Sequence, residues 1–271
     1  MPALRVNRKP VTWLAASLML LASVVHTTAA ADTDSDKWKF DANIYFWGAD
    51  IEGTTATGGE FDWPIHDLLS NLDMAFMGGV GASKGKFSLF ADAIYLSIST
   101  SGGFTESVPV IGPLDLDVDI DADAALNSWV TTLGGGYNVF DNGKATVDLV
   151  GGARYLWIQI KTKFDFSTVS LPPGHQINRQ EKETLSGSGW DGIVGARGKI
   201  NLNDKWYLPY YADIGTGNHD LTWQVNAGVG YKFKYADVML SYRYMDFEFK
   251  SDSDLDDLTF KGPLLGAKFY F

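Results

Sequence analysis

The sequence contains no cysteine among its 271 residues. This absence excludes a disulfide scaffold, a thiolate metal site and a thiol nucleophile. Histidine is also scarce, and none of His66, His175 and His219 stands in a recognisable catalytic motif. Lysine and arginine number 22 against 33 aspartates and glutamates. The formal net charge of −11 argues against nucleic acid as a partner, because nucleic-acid binding depends on cationic side chains that contact phosphates.

Long apolar runs are absent except for one near the N-terminus. Three cations, Arg5, Arg8 and Lys9, precede the stretch VTWLAASLMLLASVV, and the small residues TTAAA follow it. This order is typical of a secretory signal peptide cleaved near Ala30 or Ala31. The run is shorter than the roughly 20 residues of a transmembrane helix, so we favour the signal peptide. We predict a signal peptide at 1–31 and one outer-membrane β-barrel domain at 32–271.

Apolar and polar residues alternate from Asp41 to the end of the chain, as in β-strands with one apolar face. We count about ten such strands, with eight or twelve as alternatives. Tight turns such as SKGK and DNGK alternate with mostly longer, polar connections around 54–73, 102–113, 167–181 and 251–256. An even number of strands with short turns at one end and longer loops at the other predicts an all-β fold, a transmembrane antiparallel up-and-down β-barrel.

A soluble β-sandwich also alternates apolar and polar residues, but two features favour the barrel. The apolar face is rimmed by aromatic side chains, which favour the membrane–water interface: Phe46, Tyr95, Trp129, Trp157, Trp190, Trp206, Tyr244 and Phe269. The polar face carries charges of both signs, which we assign to a charged network in the lumen: Asp92, Asp148, Arg154, Asp191, Arg197, Asp213, Lys232, Arg243 and Lys268. Pairs such as Asp191 with Arg197 then tie strands together, or the network forms a selectivity filter.

The C-terminal stretch LLGAKFYF ends on Phe271 after alternating apolar residues. It resembles the C-terminal signature of bacterial outer-membrane barrels, and VGYKF…VMLSYRYMDFEF is similar to hairpins of small opacity-protein-like and OmpW-like barrels. The resemblance covers nearly the whole mature chain through its pattern rather than its identities. It implies location in the cell outer membrane, Phe271 as an assembly signal read by the barrel assembly machinery, and a last strand that closes the sheet against the first.

Apolarity changes face along five strands without a change of alternation. In the third strand Phe87, Leu89 and Tyr95 share one face, which continues as Ser97 and Ser99, while the other face becomes apolar. We infer that the sheet extends beyond the membrane on its extracellular side, in preference to five coincident β-bulges. The extracellular half of the lumen is then apolar, lined by Ile94, Leu96, Ile98, Ile158, Ile160, Phe164, Met245, Phe247 and Phe249.

The leading functional hypothesis is a narrow or closed barrel that binds or admits small apolar molecules through this half-lumen, since ten strands leave little bore. An alternative is a structural or interaction barrel whose acidic loops engage lipopolysaccharide or cations. Asp117, Asp119 and Asp121 are its possible cation site, although solubility alone also explains them. A lipid-modifying enzyme is the third alternative. We expect no catalytic residue, cofactor or resident metal. At 54–73 we favour a packed surface loop over a short amphipathic helix that caps or enters the apolar upper lumen.

Overall fold

The structure is a computed structural model that describes residues 37–109, 115–168 and 178–271. The predicted signal peptide at 1–31 lies outside the described residues. The described chain forms a closed, ten-stranded antiparallel barrel with two extra strands, as the alternation predicts. No helix in these three ranges is both long and apolar enough to cross a bilayer.

Neighbouring strands of the barrel follow one another along the chain. The exception comes after the first strand, where a two-stranded hairpin and a short helix precede the second barrel strand. The elements are β1 Lys39–Trp47, β2 Asp50–Thr55, β3 Glu60–Trp63, α1 Ile65–Ser70, β4 Leu72–Lys84, β5 Phe87–Pro109, β6 Asp115–Asp141, β7 Ala145–Thr168, β8 Asn178–Asn201, β9 Trp206–Gly217, β10 Leu221–Lys232, β11 Ala236–Glu248 and β12 Leu255–Tyr270. The end with tight turns, such as the one that places Gly85 at φ 58°, is called the short-turn end below. The opposite end is the long-loop end.

Pairing between β1 and β12 closes the barrel. It runs from Asp41 opposite Tyr270 to Trp47 opposite Leu264, and the backbones of Phe40 and Phe271 exchange two hydrogen bonds beyond it. The predicted closure of the last strand against the first is confirmed. Whether Phe271 also serves as an assembly signal stays a prediction.

The long-loop end differs from the sequence prediction. The predicted first strand is two strands, β1 and β2, that lie in line along β12 with a break at Gly48 and Ala49. The hairpin partner β3 was not predicted. Where the structure describes the expected loops around 102–113 and 167–181, at 102–109, 167–168 and 178–181, they are strand, because β5–β6 and β7–β8 continue their pairing far beyond the neighbouring strands. These four strands form a projecting sheet, called the blade below.

The interior of the barrel is filled by side chains. Arg154 and Phe247 are fully buried although both belong to strands of the wall. Glycine leaves space where an aromatic ring lies over the neighbouring strand. A Cβ at Gly134 would approach the ring of Phe90, its partner on β5, to 2.5 Å. Ten strands therefore enclose a packed lumen, in agreement with the small bore expected for this strand number.

Candidate functional site

The half of the lumen at the long-loop end is a packed apolar core. Of the nine side chains that the sequence assigns to it, Ile94, Ile98, Ile158, Ile160, Met245, Phe247 and Phe249 are buried in one cluster, and Leu96 packs against that cluster. The side chain of Phe164 lies outside the described part. The cluster also contains side chains that the sequence reasoning missed: Trp47, Ile51, Leu68, Met77, Leu126, Val130, Leu156, Leu255, Leu258, Phe260 and Leu264, with Ala49.

The change of apolar face is a property of the sequence and not of a bulge. Pairing of β5 with β6 and of β7 with β8 runs without a register shift through the aromatic rim. In β11, Tyr242 is exposed on the outer face and Phe247 is fully buried on the inner face. Inward apolar residues thus begin where outward ones end, as expected if water replaces lipid outside the barrel at this level.

The wall has a gap between β1 and β4 on this side. Their ladder runs from Lys39 opposite Ser83 only as far as Ile44 opposite Gly78, and no described backbone pair joins them beyond it. The backbone N–H of Trp47 donates instead to Sδ of Met77, at 3.2 Å. Beyond Gly48 and Ala49 the chain continues along β12 as β2, whose other partner is β3 and not β4.

Helix α1 covers this gap. Pro64 precedes it, and the backbone N–H of Ile65 donates to Oδ1 of Asp50 at 2.7 Å. Leu68 points into the apolar cluster and is 6% exposed, whereas the adjacent Leu69 is 48% exposed. The expectation of a packed surface loop at 54–73 is therefore wrong. The apolar face of α1 packs against the apolar cluster inside the barrel, which offers it more apolar surface than the outer face of the barrel does.

An apolar cavity of about 30 Å³ lies under α1. Its wall combines lumen residues such as Met77, Ile94 and Val130 with Phe46 and Leu69, which are about half exposed on the outside. A cavity of this volume holds about one water-sized probe. A larger apolar molecule therefore requires part of this wall to move, and α1 is one of its elements.

Buried charges separate the apolar half from the short-turn end. The Arg154 guanidinium donates to Oδ2 of Asp213 at 2.5 Å and to the hydroxyls of Thr132 and Thr222, and the side chains of the ion pair are 0% exposed. Arg243 donates to Asp92, Tyr45 and Gln224 and lies 4.9 Å from the Trp47 ring. A buried charge is tolerated only when paired and hydrogen-bonded.

Nearer the short-turn end the charged side chains are more open. Arg197 lies 3.5 Å from Asp148, and each side chain is about one-quarter exposed. Lys268 pairs with Asp41 at 3.1 Å, and Lys232 donates to Asn201 at 3.0 Å. The structure thus places all nine predicted lumen charges on the inner face, but it does not pair Asp191 with Arg197.

Asp191 has a different partner, which sequence reasoning missed. His219, in the short loop between β9 and β10, turns into the lumen and is 2% exposed. Its Nδ1 lies 2.6 Å from Oδ2 of Asp191, and its backbone N–H donates to Oδ1. The rings of Phe247 and Phe249 pack edge-on against the imidazole. The sequence gives no sign that this histidine is buried, because the alternation that separates inward from outward residues applies to strands and not to loops.

Outside the barrel, polar contacts begin at the aromatic rim, where Lys261 lies opposite Tyr244. Lys261 donates to Glu52 at 2.6 Å, and this hydrogen bond raises the pKa of Lys261. Partial burial raises the pKa of Asp246, while the hydrogen bond that Thr259 donates to it lowers that pKa. Both groups occupy outward positions that a lipid-covered face would not contain.

The predicted cation site is not tested by these contacts. Asp117, Asp119 and Asp121 lie on one face of β6, but their side chains are outside the described part. Within the described residues no three histidine, aspartate or glutamate side chains gather as metal ligands do.

Comparison with known proteins gives no sequence relative. No family model matches the chain, and no curated protein matches it either. Among solved structures, the fold is similar to that of the outer membrane protease OmpT from Escherichia coli, at 10% identity and a TM-score of 0.50, over 88% of this chain and 97% of that chain. The translocator domain of the autotransporter NalP from Neisseria meningitidis aligns at 16% identity and a TM-score of 0.40, over 89% and 90% of the two chains.

The class of protein follows from the closed ten-stranded barrel, its apolar outer belt and the match to OmpT: the chain is a bacterial outer-membrane β-barrel protein, located in the outer membrane. The long-loop end is then extracellular and the short-turn end periplasmic. At 10% identity the match to a protease concerns the fold alone and assigns no activity.

Proposed function

We propose that this protein is a closed barrel that binds or admits small apolar molecules through the extracellular half of its lumen. The observation that carries the proposal is the gap in the ladder between β1 and β4, together with an apolar cavity whose wall includes Ile65, Leu68 and Leu69 of α1. On the periplasmic side of this apolar region, the buried, ion-paired Arg154 and Arg243 extend into the lumen.

The energetics of α1 support a movable plug. Its six residues are too few for a stable isolated helix in water, so its position depends on packing, chiefly that of Leu68. Full burial of one leucine side chain contributes about 1.5–3 kcal/mol. An apolar ligand that buries a comparable area in the same cluster offsets the free energy lost when Leu68 is displaced. Such a ligand binds the open state more tightly than the closed state, as a ligand-driven shift between the two requires.

The proposal includes no catalytic step. His219 is the buried histidine of the described lumen, and its imidazole contacts a carboxylate and two phenyl rings. The Thr216 hydroxyl donates to the backbone carbonyl of His219. Within the described residues the imidazole itself has no hydrogen bond to a serine or threonine hydroxyl, the arrangement that activates a nucleophile.

Two substitutions with opposite effects test the proposal. Leu68→Ala removes the plug side chain and is expected to increase binding of the uncharged fluorescent probe N-phenyl-1-naphthylamine severalfold to the refolded protein in detergent. Ala75→Trp adds a ring to the cavity wall and is expected to abolish the increase when combined with Leu68→Ala. Met74→Trp, its neighbour on the strand at 58% exposure, is the matched control and is expected to leave binding unchanged. Equal probe binding by all variants would contradict the proposal.

A further inference from the structure

The apolar cavity under α1 has one hydroxyl group in its wall. Among the described residues that line the cavity, Ser128 alone carries a hydroxyl, and the others carry aliphatic, thioether or aromatic side chains. The other polar side-chain atoms of the lining are already engaged. Nε1 of Trp47 donates to the carbonyl of Gly262 at 3.2 Å, and Sδ of Met77 accepts from the backbone N–H of Trp47. Ser128 therefore supplies the free polar side chain of an otherwise apolar site.

The surroundings of Ser128 offer its hydroxyl no partner. Ser128 is an inward residue of β6, one of the four strands of the blade, and is 3% exposed. Its inward neighbours along β6 are Leu126 and Val130, and the residues opposite it on β5 and β7 are Leu96 and Ile158. Within the described ranges no protein group forms a hydrogen bond with the Ser128 hydroxyl. This is uncommon, because the large majority of buried polar side-chain atoms are hydrogen-bonded.

The small size of the side chain does not explain a serine at this position. Alanine would leave at least as much space and would match the four apolar neighbours without an unpaired hydroxyl, which is unfavourable when buried. A single water is a poor partner, because a buried water makes about three hydrogen bonds. The described lining offers such a water one free polar side chain. The polar group of a bound molecule needs only that one.

We propose that Ser128 determines the specificity of the cavity and that the preferred ligand is an uncharged apolar alcohol or phenol with one hydroxyl group. This inference rests on the proposed function, since it names the class of molecule that the apolar half-lumen takes. A serine hydroxyl both donates and accepts, so it matches a ligand hydroxyl in either direction. A charged ligand group would find no counter-charge, because no described residue of the lining is charged, and a buried charge without a partner is strongly unfavourable.

The order of the strands gives such a ligand an orientation. In the sheet, β6 lies two strands from β4, whereas Leu68 and Leu69 of α1 line the cavity at the gap between β1 and β4. A ligand that reaches the cavity past α1 thus places its hydroxyl at the far wall, against Ser128, and its hydrocarbon part against α1.

The test compares 4-ethylphenol with ethylbenzene, which differ by one hydroxyl group. Displacement of N-phenyl-1-naphthylamine from the refolded protein in detergent gives the inhibition constant of each compound for wild type, Ser128→Ala and Ser188→Ala. Partition of a compound into micelles is the same for all three proteins and cancels in the ratios between them. Resistance of the folded band to unheated SDS establishes that the variants fold.

Ser128→Ala is expected to weaken 4-ethylphenol about fivefold, the equivalent of one hydrogen bond of about 1 kcal/mol, and to leave ethylbenzene unchanged. Ser188→Ala is the matched control, because Ser188 is exposed on β8 and does not line the cavity. It is expected to bind both compounds like wild type. Equal weakening of both compounds by Ser128→Ala, or of neither, would overturn the inference and leave the proposed function intact. Failure of both compounds to displace the probe from wild type would contradict the proposed function, and this inference with it.

A stability measurement separates ligand recognition from a structural role of the hydroxyl. Urea unfolding in lipid vesicles is expected to show that Ser128→Ala is no less stable than wild type, because no hydrogen bond within the described protein is lost. A marked loss of stability in Ser128→Ala would show that the protein itself satisfies the hydroxyl, and it would overturn the inference.

Discussion

At the scale of single residues, the alternation of the sequence predicts which charged side chains face the lumen, but it does not predict which of them pair. The two-residue alternation determines which side chains of a strand face inward, and the structure buries Arg154, Asp213 and Arg243. The partner of each charged side chain depends on which residues of non-neighbouring strands lie at the same height in the lumen. The stagger of the strands around the barrel determines those heights. Asp213 reaches Arg154 from two strands away. Neutral inward residues such as Thr222 follow the same alternation and were missed because they carry no charge.

Buried and open ion pairs in the same lumen are expected to differ in energy. Arg154→Ala leaves Asp213 buried without its partner, which costs about 3–5 kcal/mol of unfolding free energy. Arg197→Ala breaks a pair that is about one-quarter exposed and is expected to cost less than about 1 kcal/mol, because water screens such pairs. Urea unfolding in lipid vesicles, followed by tryptophan fluorescence, measures both.

The double variant Arg154→Met/Asp213→Leu serves as the control for the loss of packing. It removes both charges and keeps apolar volume, so it is expected to recover much of the loss. An Arg154→Ala variant no less stable than Arg197→Ala would show that the Arg154 network does not stabilise the barrel.

At the scale of elements, the long strands were predictable and the short elements were not. Strands β4 to β12 repeat a two-residue pattern over twelve or more residues, so their existence follows from the sequence, with ends that shift by a few residues. Helix α1 and strand β3 span six and four residues. Elements this short owe their conformation to tertiary packing, here to the gap in the wall that Leu68 fills.

Local stability is expected to follow the same division. Segment 64–71 contains the six-residue α1, which belongs to no strand ladder, whereas β6 and β7 share a continuous ladder over most of their length. Hydrogen–deuterium exchange of the detergent-solubilised protein is therefore expected to label 64–71 orders of magnitude faster than residues 126–137. Binding of an apolar ligand that displaces α1 is expected to accelerate that exchange further. Equal protection of the two segments would contradict the description of α1 as a movable plug.

At the scale of the whole molecule, one surface pattern carries the account. Outward side chains are mostly apolar up to the aromatic rim and mostly polar or charged beyond it, while the inward face changes in the opposite sense. The sequence predicted this reversal from five strands, and continuous register through the rim shows that no bulge produces it. The location of the site depends on this boundary, because the apolar half-lumen begins where the lipid-covered wall ends.

Water-soluble maleimide labelling of single cysteines in lipid vesicles tests this boundary most directly, since the native chain contains no cysteine. Leu149→Cys and Val194→Cys, outward positions that are 55% and 64% exposed, lie within the belt, and Lys161→Cys lies beyond the rim on the same strand as Leu149. Hydrocarbon that covers the belt is expected to slow labelling of the first two at least tenfold relative to Lys161→Cys, and unfolding in urea is expected to equalise all three. Comparable labelling rates in intact vesicles would contradict the account.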